Sequence, residues 1–250
     1  MNKFKVKQIP TDVKITVSEK LMYLPHSLRE SINLYWESLI ESEETFHRGD
    51  IFSIKEIRNT KNELLVTLHK TDFAHFLYSK HHKIPDKFNC RVIVANGLIL
   101  TKDNYFILGK MNNQTANPAR IQFIAGGIDN NDIHGDTVDI LGSLIREAKE
   151  EIGLDLKDQN LVTKIEPRYL VHWGSIALVY FIQLDIDSLE FQNRYEQFEK
   201  SLKEKGIDPE FSSIVLLSAN NDSVSAFFEF DNSPKLDFLS SVLEQELNMK

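Results

Sequence analysis

The stretch Arg146-Glu147-Ala148-Lys149-Glu150-Glu151-Ile152-Gly153-Leu154 decides how the rest of the chain is read. On an α-helix, at roughly 100° per residue, Glu147, Glu150 and Glu151 fall within an arc of roughly 100°. Leu141, Ile145, Ala148 and Ile152 form a neighbouring apolar stripe, so such a helix can pack while its carboxylates point to one place. Gly153 stands where helix C-termini favour glycine, and Arg146 and Glu150, four apart, can pair. Three carboxylates crowded in this way repel one another unless a cation sits among them. Oxygen-only ligands suit Mg²⁺ or Mn²⁺, which also take substrate phosphates. A solvated charged helix that happens to end at glycine would show the same charges. Upstream, however, the apolar run Ile121-Gln122-Phe123-Ile124-Ala125 ends in Gly126-Gly127, as a strand leading into a loop would.

Outward from this helix, predicted over 137–152, the pattern is α/β. The β-branched and apolar runs 91–100 and 105–108, parted by Lys102-Asp103-Asn104, read as paired strands, and 121–125 as a third. One or two strands are expected over 169–185, a charged helix over 189–205, a strand over 214–217 and a closing helix over 233–247. The segment His81-His82-Lys83-Ile84-Pro85-Asp86-Lys87 is polar and holds a proline, which marks a boundary. Before it, a helix at 28–42, strands at 51–54 and 63–69 joined by a turn at 59–62, and a short helix at 71–82 compose a smaller α+β unit. Two domains are therefore expected, 1–88 and 89–250, with the chemistry in the second.

Composition narrows the function classes. With 250 residues, 42% apolar and 26% charged, the chain has the make-up of a folded globular protein. Its 37 acids against 29 bases give a net charge of −8, which disfavours a stable nucleic-acid partner. One cysteine, Cys90, excludes an internal disulfide and is most simply a small buried residue. No apolar run reaches the ~20 residues that span a bilayer, and the charged first residues have no apolar stretch behind them. A cytoplasmic protein without a membrane partner is expected.

The helix and its upstream glycines resemble the Nudix hydrolase family, whose signature is G-x5-E-x7-R-E-U-x-E-E-x-G-U with U apolar. Arg146 to Leu154 match at every specified position, and Gly127 fits the opening glycine. The middle departs: five residues on from Gly127 the count reaches Ile133, and counting back from Arg146 reaches Val138, where the family has glutamate. Asp136 is the best substitute, with three extra residues before it and two after. A looser resemblance joins Trp36, Phe46-His47-Arg48-Gly49-Asp50-Ile51-Phe52, Leu68 and Thr71-Asp72-Phe73 to the N-terminal region of the UDP-glucose pyrophosphatase-like branch. The resemblance implies an α/β/α sandwich with a mixed sheet and hydrolysis of a nucleoside diphosphate linked to another moiety. A nucleotide sugar such as UDP-glucose is the favoured substrate class, with ADP-ribose or an NADH-type dinucleotide as the competitor. A non-catalytic nucleotide sensor on the same fold is the reading from another class. Many family members are dimers, so a homodimer is compatible.

By the same resemblance Glu147, Glu150 and Glu151 are the metal ligands, the Gly127 carbonyl is a further contact, and Arg146 orients the glutamates. Arg120 is a candidate for a substrate phosphate. The general base is open among the box glutamates and acids of a later loop, for which Glu229 and Asp231 are candidates. Tyr169 and Trp173 could stack on a base, although aromatics in strands are more often core. His81 and His82 lack a spaced third ligand, and His172 and Trp36 read as structural.

Overall fold

In the computed structural model, residues 4–41, 47–115, 117–172 and 174–249 are described. The N-terminal part holds β1 (Val6–Gln8), β2 (Asp12–Ser18), α1 (His26–Glu41), β3 (Asp50–Asn59), β4 (Glu63–Asp72) and α2 (Phe73–His81). Next come β5 (Ile93–Leu100), β6 (Tyr105–Met111), β7 (Ile121–Gln122), β8 (Ile124–Gly127), β9 (Ile133–His134), β10 (Thr137–Val138) and α3 (Ile140–Ile152). The chain ends with β11 (Val162–His172), β12 (Ile176–Leu184), α4 (Ser188–Glu204), β13 (Phe211–Ser218), α5 (Asn221–Phe230) and α6 (Leu239–Leu247).

Two sheets result, in a mixed α/β architecture. The larger runs β1-β11-β12-β5-β6-β13, with β7 on β6 and β8 on β5; the smaller runs β3-β4-β2-β10-β9. Within the larger, β12 and β5 are parallel while the other pairings are antiparallel. Side chains alternate across it as strand geometry requires. Ile93, Ala95 and Ile99 of β5 face one apolar layer, with Leu144, Ala148 and Ile152 of α3 and Phe191 and Tyr195 of α4. Leu98 and Leu100 face the other, with Val224 of α5 and Leu239, Val242 and Leu243 of α6. Helices thus cover both faces, and the smaller sheet shares the first layer through Ile15, Phe52, Leu64, Val66 and Leu68. Trp36 is buried with Leu24, Ile32, Ala74 and Leu77 in a third cluster under α1 and α2. Among the described residues no helix is long and apolar enough to cross a membrane.

The fork in the larger sheet positions the site. Strand β5 pairs with β8 along Val94–Gly97 and with β6 only at Ile99 and Leu100. Beyond the fork β6 runs on between β7 and β13. Helix α3 lies under β8, anchored by Leu144, which is fully buried. Truncating such a leucine costs about 2–5 kcal/mol, against about 0–1 kcal/mol for an exposed ion pair. Packing therefore fixes where α3 sits, and its charges follow.

Several elements depart from their sequence reading for local reasons. The helix expected from residue 137 begins at Ile140, because Thr137 and Val138 pair with β9 and Asp139 caps α3 by accepting from Gly142 N at 2.8 Å. The strand expected over 121–125 breaks at Phe123, its first part pairing with β6 and its second with β5. Glu229, expected on a loop with Asp231, lies in α5, which Asn220 opens by accepting from Ser223 N at 2.8 Å, and Asp231 stands at its end. The closing helix starts only at Leu239, because Pro234, Lys235 and Leu236 line up beside Ile121.

At the end of α3 Gly153 has φ 70°, ψ 12°, a left-handed cap, and a Cβ there would lie 2.6 Å from the Phe198 ring of α4. Gly153→Ala is therefore expected to cost about 1–3 kcal/mol, a fall in Tm of roughly 3–10 °C. Thermal unfolding read by circular dichroism checks this, and an unchanged Tm would contradict it.

Candidate active site

The carboxylates of α3 gather beneath the fork. Glu151 is 4% exposed, and its Oε2 accepts a long bond, 3.4 Å, from the Ala125 backbone N–H of β8. Burial pushes its carboxyl up to about 9, with the charges of Glu210 and Glu147 adding to the rise. Glu147 is raised as well, chiefly by burial, against the opposing charge of Arg146. A carboxyl that loses water without gaining a cation resists ionisation, and that describes Glu151.

Close approach of α3 to β8 depends on Gly126. A Cβ there would stand 2.6 Å from Ser143 Oγ and 2.8 Å from Glu147 Cγ. Ser143 Oγ in turn donates to the Gly127 carbonyl at 2.7 Å. The helix is thus pinned to the strand end one turn before Glu147.

Glu210, from just before β13, is the residue that sequence reasoning missed. Its charge raises both Glu151 and Glu147, and partial desolvation raises Glu210 too. The local chain is clamped: Asn112 N donates to the Glu210 carbonyl at 2.8 Å, Asn112 Nδ2 donates to the Pro209 carbonyl at 2.6 Å, and Phe211 is fully buried. In the sequence Glu210 is one acid ahead of a strand. Only the register of β13 on β6 brings its charge within range of the α3 acids.

Arg146 orients the cluster. Its Nη1 donates to Glu147 Oε1 at 2.7 Å and approaches Glu150 Oε2 at 3.8 Å; its Nη2 lies 3.4 Å from Asp132 and 3.5 Å from Asp129. Asp132 is 6% exposed and also accepts from Asp129 N at 2.9 Å within a reciprocal cap of a short 3₁₀ turn. The loop acid facing the arginine is therefore Asp132 and not Asp136, which is exposed. Counting residues favoured Asp136 because it missed the turn 130–132, which shortens the path from Gly127 to the arginine.

The remaining sequence candidates fall elsewhere. Glu150 keeps most of its side chain in solvent. The Gly127 carbonyl takes the Ser143 bond. Arg120 is half-buried and donates to Gln122 Oε1 at 3.0 and 2.5 Å; its burial lowers its pKa, with Asp237 opposing. Glu229 lies in α5 and Asp231 at its end, on the element that packs against the opposite face of the sheet from α3; Asp231 pairs with Lys235 at 3.0 Å. Tyr169 is core, donating to Glu246 at 2.7 Å. Trp173 and Phe46 lie outside the described residues. His172 is exposed; His81 meets the Tyr35 hydroxyl, and His82 stacks on Tyr78. Burial pushes the Cys90 thiol up to about 12, as an inert core residue would have it.

In kind, carboxyl oxygens suit a hard divalent cation, and those of Glu147 and Glu151 are largely desolvated. Among the described residues, no three acidic, histidine or cysteine side chains are gathered tightly enough to hold a metal ion as they stand.

No known family model matches the chain, and no curated protein does. Solved structures resemble part of the fold at low identity. A Deinococcus radiodurans protein is 15% identical over 62% of this chain and 82% of its own, with a TM-score of 0.44. A Nudix-family hydrolase of Clostridium perfringens is 14% identical over 64% and 97%, with a TM-score of 0.39. The Nudix domain of Shewanella oneidensis NrtR, solved with ADP-ribose, is 10% identical over 70% and 97%, with a TM-score of 0.40.

The state of Glu151 has a measurable consequence. Its folded pKa, about 9, lies above its ordinary 4.5, so its contribution to stability is fully present below about pH 4.5 and lost as pH rises through 9. In chelator, Glu151→Gln escapes that loss. Its Tm advantage over the wild type is expected to grow from pH 5 to pH 9; a difference flat across that range would contradict the assignment.

Proposed function

We propose that the chain is a Nudix-type, metal-dependent hydrolase that cleaves a nucleoside diphosphate linked to another moiety. The products are a nucleoside monophosphate and the phosphorylated moiety. The observation that carries this reading is the buried Glu151, inside the sequence Arg146–Leu154, with the charges of Glu147 and Glu210 within range of it. Such a site is costly to the fold without a cation, so it speaks for a site built to hold one.

Glu147, Glu151 and Glu210 would hold Mg²⁺ or Mn²⁺ once drawn closer together than they stand, with Glu150 and the Gly127 carbonyl at the margin. When bound, such an ion neutralises diphosphate charge and lowers the pKa of a water molecule. The chain's own residues supply the rest. Arg146 holds Glu147 in its rotamer, the β8 backbone fixes Glu151, and low access of solvent keeps these carboxylates from exchanging partners with water. The general base is left open among these glutamates; of Glu147, Glu151 and Glu210, the last is the most exposed to solvent. Arg120 is set for a phosphate oxygen only if it exchanges Gln122 for substrate.

A nucleotide sugar such as UDP-glucose is the favoured substrate. Beside Glu210 lies a recess of about 310 Å³ whose lining includes Asn112, Asn113, Gln114, Lys203 and Asp208, a set of hydrogen-bonding groups suited to a hydroxyl-rich moiety. ADP-ribose and NADH-type dinucleotides carry the same diphosphate and a ribose, and they are the alternative. The protein is read as cytoplasmic and acting on small molecules, with residues 1–88 as an N-terminal region of unassigned role.

A panel of UDP-glucose, other nucleotide sugars, ADP-ribose and NADH with Mg²⁺ or Mn²⁺, read as phosphate freed by added phosphatase, tests the proposal. One diphosphate should turn over, Glu151→Gln should lose on the order of 10²-fold or more in kcat, and Mn²⁺ should raise the Tm of the wild type but not of Glu151→Gln. Nucleotide binding without turnover in either metal would instead make the protein a sensor.

A further inference from the structure

The loop between Gly127 and α3 is longer than the family spacing, and the structure shows what the added residues do. They form the hairpin of β9 and β10, which joins the N-terminal sheet: Thr137 pairs with Thr16, and Val17 N donates to the Asp136 carbonyl at 2.7 Å. Val138 buries its side chain in the layer that holds Ile15 and Phe52, and the half-buried Ile133 packs against it. At the near end of the loop, Asn130 Nδ2 donates to Asp50 Oδ2 at 2.9 Å, and Lys70 Nζ holds the same oxygen at 2.6 Å.

Asn130 opens the 3₁₀ turn whose N-cap, Asp129, and last residue, Asp132, face Arg146. A continuous set of contacts therefore runs from the N-terminal sheet to the site: Lys70 to Asp50, Asp50 to Asn130, the turn 129–132 to Arg146, and Arg146 to Glu147. The sheet also grips the loop at its far end, through Thr16 and Val17. With both ends of the loop held, the turn that carries Asp132 has one place to be.

We infer that the N-terminal sheet is the scaffold that sets the carboxylate site, with Asp50 and Asn130 as positioning residues acting through Asp132 and Arg146. This rests on the functional reading above. Supporting residues around a metal site are commonly worth 10–100-fold in metal affinity or activity, and a contact two links removed belongs at the lower end.

The test compares Asn130→Ala, Asp50→Ala, their double variant and Asp50→Asn with the wild type. Mn²⁺ affinity is measured by calorimetry, and kcat and KM on whichever diphosphate the wild type hydrolyses. Thr60→Ala, at the far turn of the same sheet where Thr60 bonds Glu63, is the stability control. Each alanine variant should weaken Mn²⁺ roughly 5–10-fold and lower kcat by a similar factor, with KM within about twofold. The double variant should lose no more than either single one, because both break the same path. Asp50→Asn keeps an acceptor for Asn130 and should stay within about threefold of wild type. Thr60→Ala should lower Tm without moving Mn²⁺ affinity. Wild-type Mn²⁺ affinity and kcat in Asn130→Ala would overturn this inference alone, as would equal losses in Thr60→Ala. A wild type that neither binds Mn²⁺ nor turns over any diphosphate would overturn the functional reading, and the inference with it.

Discussion

Glu151 is a carboxylate taken out of water and given one long backbone hydrogen bond in return. Two further acids, Glu147 and Glu210, raise the cost of its charge instead of relieving it. Nothing in the folding of α3 requires this, since the apolar stripe from Ile140 to Ile152 packs the helix without help from its acids. The rest of the site serves to keep the acids where they are. Gly126 lets the helix close on β8, Ser143 ties it to Gly127, and Gly153 ends it against Phe198. On the proposed reading, a cation bound among these acids would offset the cost of burying them.

The two sheets meet at the loop before α3. In a shorter loop the turn that holds Asp132 would be supported from one side only. Here the added hairpin becomes two strands of the smaller sheet, and the N-terminal region reaches within one hydrogen bond of the turn that faces Arg146. The region also adds β1 to the edge of the larger sheet, along Val171 to Tyr169. Its connection to the site is thus mechanical as well as topological.

Much of this was legible in the sequence, for identifiable reasons. Helix α3 and its glycine cap were readable because periodicity, capping and charge all agree over 13 residues. The strands β5, β6 and β12 were readable because burial on both faces makes them continuous apolar runs. Glu210 was not, because its role comes from the pairing of β13 with β6, more than 50 residues after α3 begins, and one acid before a strand carries no local mark. Asp132 was missed because a 3₁₀ turn of three residues alters the path of a loop without altering its composition. The helix under Glu229 was not legible because Asn220, Asp222 and the serines before it favour turns and caps alike.

The most direct measurement is anomalous diffraction from crystals soaked in Mn²⁺. One strong peak is expected, bounded by the carboxylates of Glu147, Glu151 and Glu210, with the Arg146 contact to Glu147 kept. No peak at the fork, or a peak that leaves Glu151 without a metal bond, would contradict the idea that this buried carboxylate exists to hold a cation.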